Sequence, residues 1–487
     1  MIYILAASGL VVAACGTRTD KTAGINYDYM DTTVRPGDDF ARYASGHWAD
    51  YNPQPKEYPS WGTIYKVSEE NTVNLAAMIQ EIAGRTNAKG SIAQKIGDLY
   101  NMAMDSARLN ADGAAPLRAH LAELDAITTR EELLHRCATE HDNLLFGIYV
   151  GADEKDAANN IVSIGQGGLT LSNREYYFSE DPQNVMVREA TQEHMRKLFE
   201  LAGFSADEAA AKVSAIWALE TELAATHYSM EDQRIPEKNY HKLSLAELQD
   251  CCKPFDWKRY LDDYRYDRTE YVDLGQPEPV AKACQLLMSA PLDLLKTVYQ
   301  WHIISGGAAL LSDDFIQENF EYSRKIYGTQ DITPRWKRAV SAVNGSLGEA
   351  VGQMYVKQYF PPEAKERMKK LVGNLQVALG QRIDGLTWMG DSTKAKAHEK
   401  LSTFYVKIGY PDNWRDYSAL DIDPKLSFHE NMVRSEKFEQ AYNFSFIDKP
   451  VDREKWYMTP QTVNAYYNPS TNEICFPAAI LQPPFFD

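Results

Sequence analysis

Cysteine is scarce in this 487-residue chain, which holds only Cys15, Cys137, Cys251, Cys252, Cys284 and Cys475. Six cysteines spread over such a length exclude a disulfide framework as the source of stability. No Cys-x-x-Cys occurs, and the adjacent Cys251 and Cys252 read as structural residues rather than a metal or redox pair. Positive charge is also short: 51 Lys and Arg stand against 68 Asp and Glu, a net charge of −17. So acidic a surface repels phosphate backbones, which excludes nucleic acid as a partner. Beyond the N-terminus no run of about 18 apolar residues appears, so no spanning helix is expected in the body of the chain. The Walker phosphate loop and the Gly-x-Ser-x-Gly nucleophile turn are both missing, and Gly165-Gln166-Gly167-Gly168 reads only as a glycine turn. None of the ten histidines lies four residues from another, so His-Glu-x-x-His is absent. His398-Glu399 and His429-Glu430 each begin that motif, but they continue Lys-Leu-Ser and Asn-Met-Val. A helical zinc site needs two imidazoles one turn apart, so no metal ligand is assigned.

What is present begins with a short apolar run, Ile2 to Ala14, ending Val12-Ala13-Ala14-Cys15 and followed by a polar stretch. Small residues before a cysteine at the end of such a run resemble a bacterial lipobox, which makes Cys15 the expected lipidation site. No Lys or Arg precedes the run, in departure from the usual basic start. An ordinary cleaved signal peptide is the alternative. Either way the chain is expected to be exported. The anchored reading makes it a membrane-tethered lipoprotein facing the periplasm or cell surface, with residues 16–35 as a flexible spacer.

Helical signals dominate the rest. After Ser91, Ile92, Ile96, Leu99, Tyr100 and Ala103 fall on one face of a 3.6-residue period. Ser205 with Glu208 and Ser244 with Glu247 are Ser-x-x-Glu helix starts. Pro361 and Pro362 open another helix, whose stripe of Met368, Leu371, Val372, Leu375, Leu379, Ile383 and Leu386 reads as a core face. Strand signals are few. They are Asn160 to Ser163, the alternation of Phe404, Val406 and Ile408, and a hairpin of Thr462–Tyr467 with Glu473–Phe476 around Asn468-Pro469-Ser470-Thr471-Asn472. Between Pro411 and Asp452 the sequence is polar and reads as irregular.

Several dense blocks resemble one family, the neprilysin-like (M13) zinc metallopeptidases. They include Arg35-Pro36-Gly37-Asp38-Asp39-Phe40, Lys95-Ile96-Gly97-Asp98-Leu99-Tyr100, Arg174-Glu175-Tyr176-Tyr177, Arg335-Trp336-Lys337 and Lys407-Ile408-Gly409-Tyr410-Pro411. The most specific is the last: Trp456-Tyr457-Met458-Thr459-Pro460, Val463-Asn464-Ala465-Tyr466-Tyr467-Asn468-Pro469, and Phe476-Pro477-Ala478-Ala479-Ile480-Leu481-Gln482-Pro483-Pro484-Phe485-Phe486.

This resemblance implies a mainly α protein: a large helical N-terminal lobe over residues 36–412, a linker over 413–451, and the first β-hairpin of an incomplete thermolysin-like catalytic lobe over 452–487. It implies zinc-dependent cleavage of short extracytoplasmic peptides. In the family the zinc ligands and general base follow the Pro-Pro-Phe-Phe block, so they are expected to lie outside this sequence, leaving these residues inactive alone. Asn464 and Ala465 match the family's strand that binds the substrate backbone; a plain structural hairpin is the alternative. Where mammalian relatives carry an arginine-lined substrate subsite, this chain has Ser60, Ile64, Tyr65 and Ser68, so a preference for carboxylate-ended substrates is not carried over. A non-catalytic peptide-binding or scaffold lipoprotein is the rival reading. Because a two-stranded hairpin is marginal alone, the tail beyond about residue 412 is expected to be poorly ordered or to expose apolar surface.

Overall fold

The computed structural model describes residues 25–266 and 270–486. Cys15 and the expected signal segment lie outside the described residues. Helices dominate, at 57% against 8% strand, in line with the mainly α expectation. The chain divides into two compact units, one running to Pro55 with residues 482–487 and one from Lys56 to Leu481.

In the smaller unit the helix Phe40–Ser45 starts at Asp39, whose carboxylate accepts the Arg42 N–H at 2.9 Å. Asp31 is buried there and pairs with the Arg42 guanidinium at 3.0 Å.

In the larger unit the helix starts read from sequence are built as expected. Ser91 caps Ile92–Met104, and Ser205–Glu208 and Ser244–Glu247 close reciprocal capping bonds on Ala206–Ala224 and Leu245–Cys251. The main core gathers Leu117, Phe199, Ile216, Trp257, Val298 and Ile304 from five different helices, all fully or almost fully buried. Against it lies a four-stranded sheet of β1 (Phe146–Ala152), β2 (Asn160–Gln166), β3 (Lys242–Ser244) and β4 (Tyr271–Leu274), in the order β1-β2-β4-β3. Of these strands only β2 is legible in the sequence; β1 pairs antiparallel along its full length. The glycine turn after β2 has a steric reason. Gly168 sits at φ +74°, and a Cβ there would stand 2.3 Å from the Leu145 Cα.

The helix Pro362–Asp384 forms, but its stripe is only partly core. Met368, Val372 and Ile383 are buried, whereas Leu371, Leu375 and Leu379 are exposed. The period set the helix; packing on one side only decided which residues it covers.

A second sheet departs further from expectation. β5 (Tyr405–Gly409), β6 (Tyr466–Asn468) and β7 (Glu473–Pro477) stand in the order β5-β7-β6. The hairpin β6–β7 is thus not alone, because β7 pairs parallel with β5 from Tyr405 with Glu473 to Gly409 with Pro477. Cys475, Ala478, Ala479 and Leu481 are buried behind it, so this part of the tail is packed rather than loose, while Tyr457 and Tyr467 leave aromatic surface exposed. Parallel strands cannot be joined by a tight turn and need a long crossover, usually helical. That explains a second correction: the polar stretch after Pro411 contains the helix Phe428–Phe444, capped by Ser427. Its buried residues are Phe428, His429, Asn431 and Ser435, mostly polar, so no apolar stripe announced it.

Candidate peptide-binding site

Asn464 and Ala465 lie immediately ahead of β6, at the edge of the second sheet. The strand expected from Thr462 begins only at Tyr466. A turn holds the preceding residues off the ladder: Thr462 N–H donates to Thr459 O at 3.0 Å, and Asn464 N–H to Thr462 O at 3.0 Å. Asn464 is exposed, and its Oδ1 accepts the Ala465 N–H at 2.8 Å. Beyond β6 no further strand stands among the described residues. An edge of this kind can pair with an extended chain, although here the N–H groups of Asn464 and Ala465 are already taken by these local bonds and would have to be exchanged.

The edge is fixed from behind by a buried ion pair. Lys407 on β5 is 3% exposed and Glu473 on β7 fully buried, with 2.8 Å between ammonium and carboxylate. The same carboxylate oxygen accepts the Tyr466 hydroxyl at 2.9 Å, and Lys407 also donates to Lys455 O at 2.7 Å. Burial pushes the Tyr466 phenol up, with Cys475 and Glu473 adding to it, so it stays a donor. All three strands are joined through one carboxylate.

Upstream of the edge, residues 455–459 line a cavity of about 610 Å³ together with Glu349, Arg415 and Tyr442. Burial pulls the Lys455 ammonium below its ordinary value, with Glu439 opposing that shift and Arg415 reinforcing it. Burial likewise raises Glu349, although its carboxylate accepts the Arg415 backbone N–H at 2.9 Å. A second cavity of about 890 Å³ shares His141, Gly345, Glu439 and Gln440 with the first. It is lined by four histidines, His120, His141, His302 and His429. Burial lowers His141 and His429 to about 4, so both are neutral imidazoles. His302 is held above its ordinary value because Asp142, at 2.8 and 3.0 Å from Nδ1, outweighs burial.

These histidines do not form a metal centre. Among the described residues no three His, Cys, Asp or Glu converge on one point. Cys252 and Cys284 are buried, and Cys251 is exposed.

Two models described as peptidase family M13 match residues 36–411 and 464–487. The first alone covers well over half of the chain. The chain belongs to peptidase family M13. Endothelin-converting enzyme 1 of Bos taurus is 31% identical over 480 residues, which is 94% of this chain and 63% of that protein. Neprilysin of Homo sapiens is 27% identical, covering 96% and 67%. Among solved structures, the zinc metalloprotease ZMP1 of Mycobacterium tuberculosis in complex with an inhibitor superposes with a TM-score of 0.89 at 35% identity, over 95% of this chain and 71% of that one. PEPO from Lactobacillus rhamnosis gives 0.82 at 25% identity, over 93% and 72%. The chain thus spans a little under two thirds of the first curated relatives it matches.

Within this M13 chain Ser60, Ile64, Tyr65 and Ser68 lie far from the edge in sequence. Ser60 precedes the helix Thr63–Ala83, and its residues Ile64 and Tyr65 are exposed. Beside them Lys337 is buried between Glu57 and Glu69, at 2.9 and 2.5 Å. Sequence reasoning missed Lys337, Arg415, Lys455 and the His302–Asp142 pair as parts of a constellation. Lys337 closes one family-like block and Lys455 precedes another, but only long-range folding shows what they face.

Proposed function

We propose that the chain is the peptide-docking portion of an M13 zinc metalloendopeptidase that acts on short extracytoplasmic peptides. The observation that carries this reading is the free edge at β6, with Asn464 and Ala465 ahead of it and the buried Lys407–Glu473 pair behind. Asn464 can both donate and accept a hydrogen bond, so it suits a substrate amide. Main-chain pairing gives affinity without demanding particular side chains, as a peptidase of broad scope requires. Peptides too folded to enter the connected cavities are refused, which makes the helical body a size filter. The relatives that are named as converting enzymes or metalloproteases favour this reading over a non-catalytic scaffold. We further propose that Cys15 carries a lipid anchor that tethers the exported protein to a membrane. No helix among the described residues is long and apolar enough to cross one.

We further propose that these 487 residues by themselves bind peptides without hydrolysing them. The test is to incubate the purified chain with a mixed peptide pool, with and without added zinc, and to follow both binding and cleavage by mass spectrometry. Binding of unstructured peptides without turnover is the expected result. Stoichiometric zinc-dependent cleavage would overturn the expectation of inactivity, and absence of any peptide binding would overturn the docking role.

A further inference from the structure

The cavity of about 610 Å³ contains two cations, Arg415 and Lys455, whose local partners leave them underused. The Lys455 ammonium has no carboxylate within ion-pairing distance among the described residues; its one hydrogen-bond acceptor is Asn443 Oδ1, at 3.4 Å. Aromatic faces surround it instead, with Phe446 at 4.1 Å and Tyr442 and Tyr457 at 5.5 Å to the ring centroids. Arg415 is nine-tenths buried and stacks on Tyr442 at 3.9 Å and Phe438 at 4.6 Å. Its Nη1 pairs with Glu439 at 2.5 Å, while Nε and Nη2 are buried without a hydrogen-bond partner among the described residues. A buried charged donor left unmatched is costly, and such groups ordinarily find an acceptor.

Resting on the peptide-docking reading, we propose that this cavity is a carboxylate-recognition pocket, in which Lys455 meets a carboxylate of the bound peptide and Arg415 supplies the positive field behind it. The chemistry favours a peptide anion with an apolar neighbour. The ammonium provides a charge-assisted donor, and the rings of Tyr442, Tyr457 and Trp456 give a surface for the adjoining side chain. Glu439 does not fill this role because its carboxylate is already taken by Arg415. Glu349 is held by the Arg415 backbone and the cavity wall. The pocket is separate from the replaced subsite at Ser60 to Ser68, so acidic selectivity lost at one place is supplied at another. Either a C-terminal carboxylate or an acidic side chain carries the required group.

Calorimetric titration of the full chain with three tetrapeptides distinguishes these sources: acetyl-Phe-Ala-Phe-Ala-amide, the same peptide with a free C-terminus, and acetyl-Phe-Glu-Phe-Ala-amide. At least one carboxylate-bearing peptide is expected to bind about tenfold more tightly than the neutral one, the lower end for a hydrogen bond to a charged group. Lys455→Gln is expected to abolish that preference while leaving neutral-peptide binding intact, and Lys455→Arg to retain it. The advantage should also shrink as salt is raised. Equal affinity for all three peptides, or a preference that survives Lys455→Gln, overturns the pocket but leaves the docking reading standing. If no peptide binds at all, both fall. Circular dichroism of each variant separates a lost preference from a lost fold.

Discussion

Replacing Glu473 with leucine tests the arrangement behind the candidate edge most severely. The carboxylate is fully buried and receives the Lys407 ammonium at 2.8 Å and the Tyr466 hydroxyl at 2.9 Å. With Glu473→Leu, Lys407 keeps only the Lys455 carbonyl as a partner, in a site where it is 3% exposed. Breaking a buried pair from one side costs about 3–5 kcal/mol, because the remaining charge is uncompensated. The orphaned Tyr466 hydroxyl adds about 1 kcal/mol or more. Against a total stability of about 5–15 kcal/mol, such a loss consumes a large fraction of the whole. The double variant Lys407→Met with Glu473→Leu should recover most of it, since replacing both partners by apolar groups is often close to neutral. Urea unfolding of the wild type, both single variants and the double gives the comparison, read as a shift in midpoint at constant slope. Hydrogen exchange of the amides in β6 and β7 locates the change. A loss below about 1 kcal/mol for Glu473→Leu, or a double variant as unstable as the single, would refute the claim that one carboxylate holds three strands.

Three further outcomes follow from single positions. Because burial lowers His429 from 6.5 to about 4, its folded form resists protonation, so stability is fully present above pH 6.5 and falls as pH drops towards 4. The loss is roughly 3 kcal/mol by pH 4 at the usual 1.4 kcal/mol per unit, and His429→Asn should flatten that acid arm in urea midpoints measured between pH 7 and 4. Gly168→Ala should destabilise by roughly 3 kcal/mol, since the φ of +74° is strained for alanine and its Cβ would meet the Leu145 backbone; thermal melts that match wild type would contradict this. Asn464→Ala should weaken peptide binding about tenfold, the loss of one well-placed hydrogen bond, without moving the melting temperature, because the side chain is exposed and bonds only its neighbour's N–H. Unchanged affinity in a titration would remove Asn464 from the docking role.

The sequence disclosed what is local and hid what is paired at a distance. Ser205 with Glu208, and the apolar face after Ser91, depend on residues three or four apart, so their helices were readable and the structure builds them. β1 was not readable, because its reason for being a strand is β2, some fourteen residues along the chain. The helix Phe428–Phe444 was hidden for a different reason. Its inner face is His429, Asn431 and Ser435, and Asn431 is satisfied by Asp423 and Ser427 rather than by apolar neighbours. Hydrophobic periodicity cannot register a helix buried through hydrogen bonds. The candidate site shows the same division. Asn464 and Ala465 were named because their block is contiguous, whereas the groups that hold and furnish their surroundings come from far apart. Lys407 and Glu473 are 66 residues apart, and the Arg415–Glu439 pair spans 24. A candidate docking edge can therefore be proposed from a short motif, but its rigidity and charge are properties of tertiary pairing. That is why the carboxylate pocket at Lys455 emerges only once the crossover helix brings Tyr442 and Phe446 around its ammonium.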